Sequence, residues 1–119
     1  MKAKMVLAFV GLIALGALPL AGPATAGGGT TVTIKGPQGD FHGRVNTREP
    51  CRAERTVKVF KVRKGADRKI GSDTTGNDGK WSIGNSGFKN GRFYAKVKKT
   101  EECEAAKSKT IRLVDGEEV

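Results

Sequence analysis

The segment NGRFYAKVK at residues 90–98 decides the fold class of this chain. Asn90-Gly91 is a strong signal for a tight turn between two strands. The residues that follow alternate, and the apolar ones on one side are Phe93, Ala95 and Val97. Those on the other side are Tyr94, Lys96 and Lys98. Strict alternation with a period of two is the pattern of a half-buried β-strand, so we predict a strand at 92–98 with one core face and one cationic face.

Short β-prone runs recur six more times along the chain, each bounded by turn-forming residues. These predicted strands cover residues 30–35, 41–47, 56–63, 68–73, 80–83 and 109–114. Asp78-Gly79 is a second strong hairpin signal, and no long stretch has helical periodicity. Seven short strands at regular spacing predict an all-β protein, namely an antiparallel Greek-key sandwich of transthyretin-like or immunoglobulin-like architecture with one thin core.

The strand at 56–63 leaves two interpretations open. Val57 and Val59 share one face, whereas Phe60 and Val62 share the other. Either both faces of this strand are covered, or a β-bulge shifts the register within it.

The first 26 residues have the composition of a targeting segment. Lys2 and Lys4 precede an apolar run at 5–18, and Ala24-Thr25-Ala26 supplies the small residues that a signal peptidase recognises. A membrane anchor is the alternative, but the run is shorter than the ~20 residues that a span needs. We therefore predict a signal peptide at 1–26, cleavage after Ala26, and a secreted mature chain without a membrane span.

The remaining residues are divided into a flexible lead-in at 27–29, a β-sandwich domain at 30–114 and a loose acidic tail at 115–119. The whole chain has 119 residues, which excludes a multidomain protein with several large cores. It carries 22 Lys and Arg against 12 Asp and Glu, a net charge of +10, and loss of Lys2 and Lys4 would leave +8.

The chain contains two cysteines, Cys51 and Cys103. In an oxidising compartment an even pair of this kind predicts one structural disulfide. Two cysteines and one distant histidine do not have the spacing of a zinc site, and a catalytic thiol would be quenched by its partner.

Four motifs occur in an order that resembles a known family. They are Gly43-x-Val45, Val57-x-Val59, Thr75-x-x-x-Gly79-x-Trp81-x-Ile83 and Gly91-x-Phe93-x-Ala95-x-Val97. The ordered set resembles carboxypeptidase regulatory-like domains, which are transthyretin-like (prealbumin-like) seven-strand sandwiches. It is also similar to a group of small secreted actinobacterial proteins, in which one Cys precedes the Val-x-Val strand and another follows the aromatic-x-Ala strand, as Cys51 and Cys103 do here.

The resemblance covers about 41–113 and departs from the family pattern at two positions. Gly76 stands where Asp is usual, and Phe93 stands where Tyr is usual. The family resemblance implies a scaffold, spacer or binding module without catalysis, and it leaves the ligand open.

Three further candidate sites carry little chemistry. His42 is the single histidine, it lacks a nucleophile elbow, and the alternation of its strand places it toward solvent. Asp73, Asn77 and Asp78 have oxygen ligands for calcium, but Asx residues beside glycines more often form turns. Trp81 is in phase with apolar neighbours and is predicted to anchor the core. We expect no enzyme, no cofactor and no metal site.

The excess of basic residues is the one compositional clue to partners. A first group comprises Arg44, Arg48, Arg52, Arg55, Lys58, Lys61, Arg63 and Lys64, and a second comprises Lys96, Lys98, Lys99, Lys107, Lys109 and Arg112. Alternation directs cations from several strands toward solvent, where they attract polyanions. The residues of this candidate polyanion face are Lys58, Tyr94, Lys96, Lys98 and Arg112.

Two functional hypotheses follow, and the partner itself is unknown. The first is a secreted, non-enzymatic module with a structural or binding role, whose basic face contacts anionic polymers such as teichoic acids, extracellular DNA or acidic glycans. The alternative is a secreted effector or inhibitor that binds another extracellular protein. A charged surface that only keeps the protein soluble would also produce this composition. No aromatic platform is expected within the basic stripe, and the acidic residues at 101–104 interrupt it.

Overall fold

The computed structural model describes residues 29–119, which form nine strands in two antiparallel sheets. The strands are β1 Thr31–Val32, β2 Phe41–Asn46, β3 Thr56–Lys61, β4 Arg68–Thr74, β5 Lys80–Ile83, β6 Gly91–Val97, β7 Ala106–Lys107, β8 Ile111–Val114 and β9 Glu117–Glu118. The predicted all-β antiparallel class with one disulfide is confirmed, although the strands number nine within the described residues. The predicted signal peptide, its cleavage after Ala26 and the first two lead-in residues lie outside the described residues.

The two sheets exchange strands in a Greek-key manner. The large sheet has the order β9-β8-β6-β3-β4, with β7 also paired to β6, and the small sheet has the order β1-β2-β5. The chain crosses from the small sheet to the large one after β2, returns at β5 and crosses again to β6. On its return to the large sheet the chain forms β6, which pairs with β3 on the side opposite β4. In residues 29–119 there is no helix with the length and apolar character needed to cross a membrane.

One core fills the space between the sheets. The small sheet contributes Val32, Ile34, Phe41, Val45 and Trp81, and the large sheet contributes Val57, Val59, Phe93, Ala95, Val97, Ile111 and Leu113. The rings of Phe41 and Phe93 meet across the interface with centroids 4.8 Å apart. Trp81 is 3 % exposed, as its phase with Ile83 predicts. The period-two alternation of the sequence is therefore the alternation of core and solvent faces.

The first predicted strand is shorter than expected because its backbone pairing is interrupted beside Gly43. Thr33 Oγ1, not a backbone carbonyl, accepts the hydrogen bond from the Arg44 N–H at 3.0 Å. The carbonyl oxygen of Thr33 instead approaches Gly43, and a Cβ on that glycine would lie 1.9 Å from it. Regular pairing ends at Val32, and one isolated bridge joins Lys35 to His42.

Both interpretations of the strand at 56–63 hold in part. β3 pairs with β6 in regular register, so Phe60 lies opposite Tyr94 on the outer face and is covered there. The irregularity lies in the pairing with β4, where Val59 pairs with Gly71 and Phe60 with Lys69. The skipped residue, Ile70, packs against the core.

Two short strands were missed by the sequence prediction. β7 lies in a segment of small and charged residues, and it is held because Ser108 both donates its N–H to the carbonyl of Ala95 and accepts that residue's N–H on Oγ. The segment expected to be a loose tail forms β9, and this expectation was wrong. Its Gly116 carbonyl accepts the N–H of Gln38, and a carboxylate oxygen of Glu118 accepts the N–H of Gly36.

The predicted disulfide joins Cys51 to Cys103, with a Cα–Cα distance of 5.6 Å. Arg55 lies beside it and is only 2 % exposed. Its guanidinium donates to three backbone carbonyls, those of Cys51 at 2.7 Å, Lys98 at 3.1 Å and Glu104 at 2.7 Å. Burial lowers the pKa of this arginine from its ordinary value. The inclusion of Arg55 among the surface cations is therefore corrected: it holds together the loops at one end of the sandwich.

Candidate functional site

The outer face of the large sheet carries the densest cluster of cations on regular strands. We define the basic face as five cationic residues and the two aromatic residues among them: Lys58, Arg92, Lys96, Lys107, Arg112, Phe60 and Tyr94. The five cations come from β3, β6, β7 and β8, whose alternation turns them away from the core. Four of them are exposed, and Lys58 is half-buried.

Strand register brings like charges directly together on this face. Lys96 pairs with Lys58 on one side and with Lys107 on the other. Four residues earlier in β6, Arg92 pairs with Arg112. Like charges opposite each other on neighbouring strands destabilise a sheet, so this placement raises the local positive potential at a cost to folding.

A stacked aromatic pair lies among these cations. The rings of Phe60 and Tyr94 are 5.5 Å apart at an interplanar angle of 19°. The Lys107 ammonium lies 4.3 Å from the centroid of Tyr94, and the Lys96 ammonium lies 5.7 Å from that of Phe60. Each of these two lysines therefore has an attractive contact with a ring, which offsets part of the repulsion between them.

The basic face has one carboxylate beside its centre, that of Asp67. Tyr94 donates its phenolic hydrogen to Asp67 Oδ2 at 2.5 Å, and the Arg63 N–H donates to Oδ1 at 3.2 Å. The bond from Tyr94 is the main reason why the pKa of Asp67 is lowered, and the positive charges of Lys107 and Arg92 lower it further. The same bond raises the pKa of Tyr94, with desolvation as the second cause.

The cations of the basic face are otherwise free of carboxylate partners. The structure records a single ion pair in residues 29–119, between Lys80 and Asp78 at 3.8 Å, and it lies on the other sheet. The field of the basic face is therefore directed into solvent, where it can attract an anionic partner.

The structure brings together four of the five predicted residues of the polyanion face. Lys58, Tyr94 and Lys96 are neighbours, and Arg112 lies farther along, beside Arg92. Lys98 follows the end of β6, where its carbonyl accepts a hydrogen bond from Arg55. The expectation that Tyr94 is an exposed contact residue was wrong. It is 7 % exposed because a ring, an ammonium group and a carboxylate cover it.

Sequence analysis missed three members of the basic face. Arg92 is in phase with Tyr94 and Lys96, and this period of two could have identified it. Lys107 belongs to the second basic group of the sequence, but it could not be placed on this face, because β7 is two residues long and has no recognisable pattern. The two interpretations of the strand at 56–63 do not decide which face Phe60 occupies, so the aromatic pair is not predicted.

A second and weaker cationic surface lies on the outer face of the small sheet. It is an open groove of about 810 Å³, and its basic lining residues are Lys35, His42, Arg44 and Lys80. Two carboxylates offset this charge: Asp73 lines the same groove, and Asp78 is paired with Lys80. The ring of His42 contacts the backbone carbonyl of Asp40 through Nδ1 at 3.1 Å, not a nucleophile.

The candidate calcium ligands have structural partners. Asp73 accepts the N–H of Ser82 at 2.8 Å, and Asp78 accepts the N–H of Lys80 at 3.0 Å. In the described part of the chain no three His, Cys, Asp or Glu side chains converge into a group that could hold a metal ion. Both aspartates act here as acceptors that tie strands and turns together.

No model of a known protein family, no curated protein and no solved structure matches this chain.

Proposed function

We propose that the protein is a secreted, non-enzymatic binding module that holds linear anionic polymers of the cell envelope or the surrounding medium against its basic face. The proposal keeps the relation to carboxypeptidase regulatory-like, transthyretin-like domains as its architectural premise, and the antiparallel sandwich supports that premise. The disulfide supports the extracellular location, since such bonds persist in oxidising compartments.

The observation that carries the proposal is a row of cations on paired strands of the large sheet that form no ion pair within the described part of the chain. Lys58, Lys96 and Lys107 lie side by side on three paired strands, and the single recorded ion pair of residues 29–119 lies elsewhere. A solubilising surface is better served by interspersed charges of both signs. A row of like charges is unfavourable for the isolated fold and becomes favourable when a polyanion releases its counterions there.

Binding to a polyanion predicts a steep salt dependence. Each phosphate neutralised contributes a slope of about −0.7 to −0.9 in the logarithm of the binding constant against the logarithm of the salt concentration. The experiment compares Lys96→Gln/Lys107→Gln with a control of equal charge, Lys64→Gln/Lys89→Gln, whose lysines are exposed and are not members of the basic face. The ligand is long-chain inorganic polyphosphate on a resin, eluted with a salt gradient.

We expect the pair on the basic face to reduce the slope by about 2, and the control pair to change it much less. Equal effects of the two pairs would show that only net charge matters. Absence of wild-type retention at low salt would refute the proposal. Circular dichroism of each variant checks that the fold is retained.

The alternative, a secreted effector or inhibitor that binds another protein, is favoured by one observation. Phe60 is half-buried at the centre of the basic face, and aromatic residues are enriched at the centres of protein interfaces. A stoichiometric partner recovered from culture medium and retained at moderate salt would support this alternative over the polymer.

A further inference from the structure

From the aromatic pair within the basic face we infer that the preferred anionic polymer is a single-stranded nucleic acid, with one base stacked on Phe60 and the flanking phosphates held by Lys58 and Lys96. This inference rests on the proposed function, because it names the class of polymer that the same face would take.

Phe60 is an aromatic residue on the solvent-facing side of the large sheet. It lies on the outer face of β3, where Tyr94 stacks against one side of its ring. Its neighbour in the other direction, on β4, is Lys69, an exposed residue. Phe60 remains only half-buried. Part of the Phe60 ring is therefore accessible, and a base that stacks there would displace the Lys96 ammonium, 5.7 Å from the centroid, toward the flanking phosphate.

Phe60 is supported on one side by the ring of Tyr94, which is itself held in place. Tyr94 is fixed at its hydroxyl by Asp67, and on its ring by the Lys107 ammonium at 4.3 Å. A stacking platform loses little entropy on binding when its rings are already held in place. The Lys107 ammonium, the Tyr94 ring and the Phe60 ring form such a platform, and the base would stack next to Phe60.

The cations of the basic face nearest to Phe60 include Lys96 and Lys58. The Lys96 ammonium lies 5.7 Å from the Phe60 centroid, and Lys58 pairs with Lys96 across the strands. Single-stranded nucleic acids are held by this combination of a positively charged track and aromatic rings on which bases stack. Polyphosphate would use the cations but has no group that stacks on the ring. A duplex keeps its bases inside the helix and offers only phosphates.

The test uses two fluorescent oligonucleotides of the same length and phosphate count, oligo-dT and an oligonucleotide whose residues are all abasic. Fluorescence anisotropy with the purified protein at fixed salt gives both affinities. We expect wild type to prefer oligo-dT about tenfold or more, the effect of one base stack. Phe60→Leu should bring this preference close to one while the salt slope stays unchanged. Phe60→Tyr should keep the preference.

The outcomes separate this inference from the proposed function. Equal affinity of wild type for oligo-dT and the abasic strand would overturn the inference and leave the polyanion module in place. Tighter binding of duplex DNA or polyphosphate than of oligo-dT would also overturn it. Loss of all binding, including that of polyphosphate, would refute the proposed function itself. If Phe60→Leu does not fold, the comparison of the two oligonucleotides on wild type and Phe60→Tyr still decides.

Discussion

The phenolic hydroxyl of Tyr94 donates to Asp67 Oδ2 at 2.5 Å, and this bond ties the centre of the basic face to the turn between β3 and β4. The aspartate gains a donor for its charged form, so its pKa is lowered, and the phenol gains an acceptor for its neutral form, so its pKa is raised. The lowered pKa of Asp67 makes the contribution of this bond to stability depend on pH at the acid end of the scale, and the raised pKa of Tyr94 does so at the alkaline end.

Tyr94→Phe is therefore expected to remove a pH-dependent part of the stability. The contribution of Asp67 is complete above the pKa that this carboxyl has in the unfolded chain, about 4, and disappears as pH falls through its lowered folded value. That of Tyr94 is complete below about pH 10 and disappears as pH rises through its raised value. The difference in melting temperature between wild type and the variant should be constant from pH 5 to 9 and shrink beyond both limits. A difference that stays constant from pH 2 to 12 would contradict this assignment.

Gly43→Ala should destabilise the protein by about 3 kcal/mol or more, since the added methyl group meets backbone on a neighbouring strand. The Cβ would lie 1.9 Å from the Thr33 carbonyl oxygen and 3.0 Å from Trp81 Cζ2. Gly84→Ala is the matched control, because its Cβ would have a single neighbour at 3.9 Å. Urea unfolding measures both variants. Equal stability of the two would show that the close approach of Thr33 to Gly43 is not maintained in solution.

Arg55→Met should cost about 3 kcal/mol, because three backbone carbonyls lose a charged donor at once. Arg55→Lys should rescue little of this loss, since an ammonium group lacks the planar fork that reaches separate acceptors. Arg63→Lys, at an exposed position, is the control and should be neutral. Thermal unfolding of the three variants tests the assignment, and full stability of Arg55→Lys would overturn it.

The Cys51→Ala/Cys103→Ala variant should lose about 4 kcal/mol in the chain-entropy account, since the bond closes a loop between residues 52 positions apart. Reduction of the wild type under the same denaturant should lower its midpoint to that of the variant. Intact-mass measurement with and without reduction should differ by two hydrogens. Free thiols in the protein isolated under oxidising conditions would contradict the bond.

The elements predicted correctly are those whose signal is local. β2, β5, β6 and β8 alternate strictly or follow an Asx-Gly turn, and the disulfide followed from an even cysteine count in a chain with a predicted export signal. Nothing local marks β7 or β9. β7 exists because Ser108 completes the hydrogen bonds of Ala95, and β9 because Gly116 and Glu118 find partners about 80 residues earlier. Such elements depend on tertiary contacts, so a single sequence cannot reveal them.

The sequence predicted the outward-facing cations of the candidate site but not the burial of Tyr94. Alternation directed Lys58, Lys96 and Arg112 outward, and the structure agrees. The burial of Tyr94 requires Phe60, Asp67 and Lys107 together, three residues from three separate segments. In the sequence Arg55 cannot be told from a surface arginine, and only the carbonyls that its guanidinium contacts in the structure reveal its role.

The crosslink between Cys51 and Cys103 also limits how far the molecule can be stretched. Strands β3 to β6 lie inside the covalent loop, and they include β6, β3 and the edge strand β4 of the large sheet and one edge strand of the small sheet. If the chain were pulled by its ends, only the residues outside the loop could unravel, and about 170 Å of contour length would stay hidden until the bond was reduced. The oxidised protein can thus lengthen only through the segments before Cys51 and after Cys103, whereas the reduced protein could also yield between them.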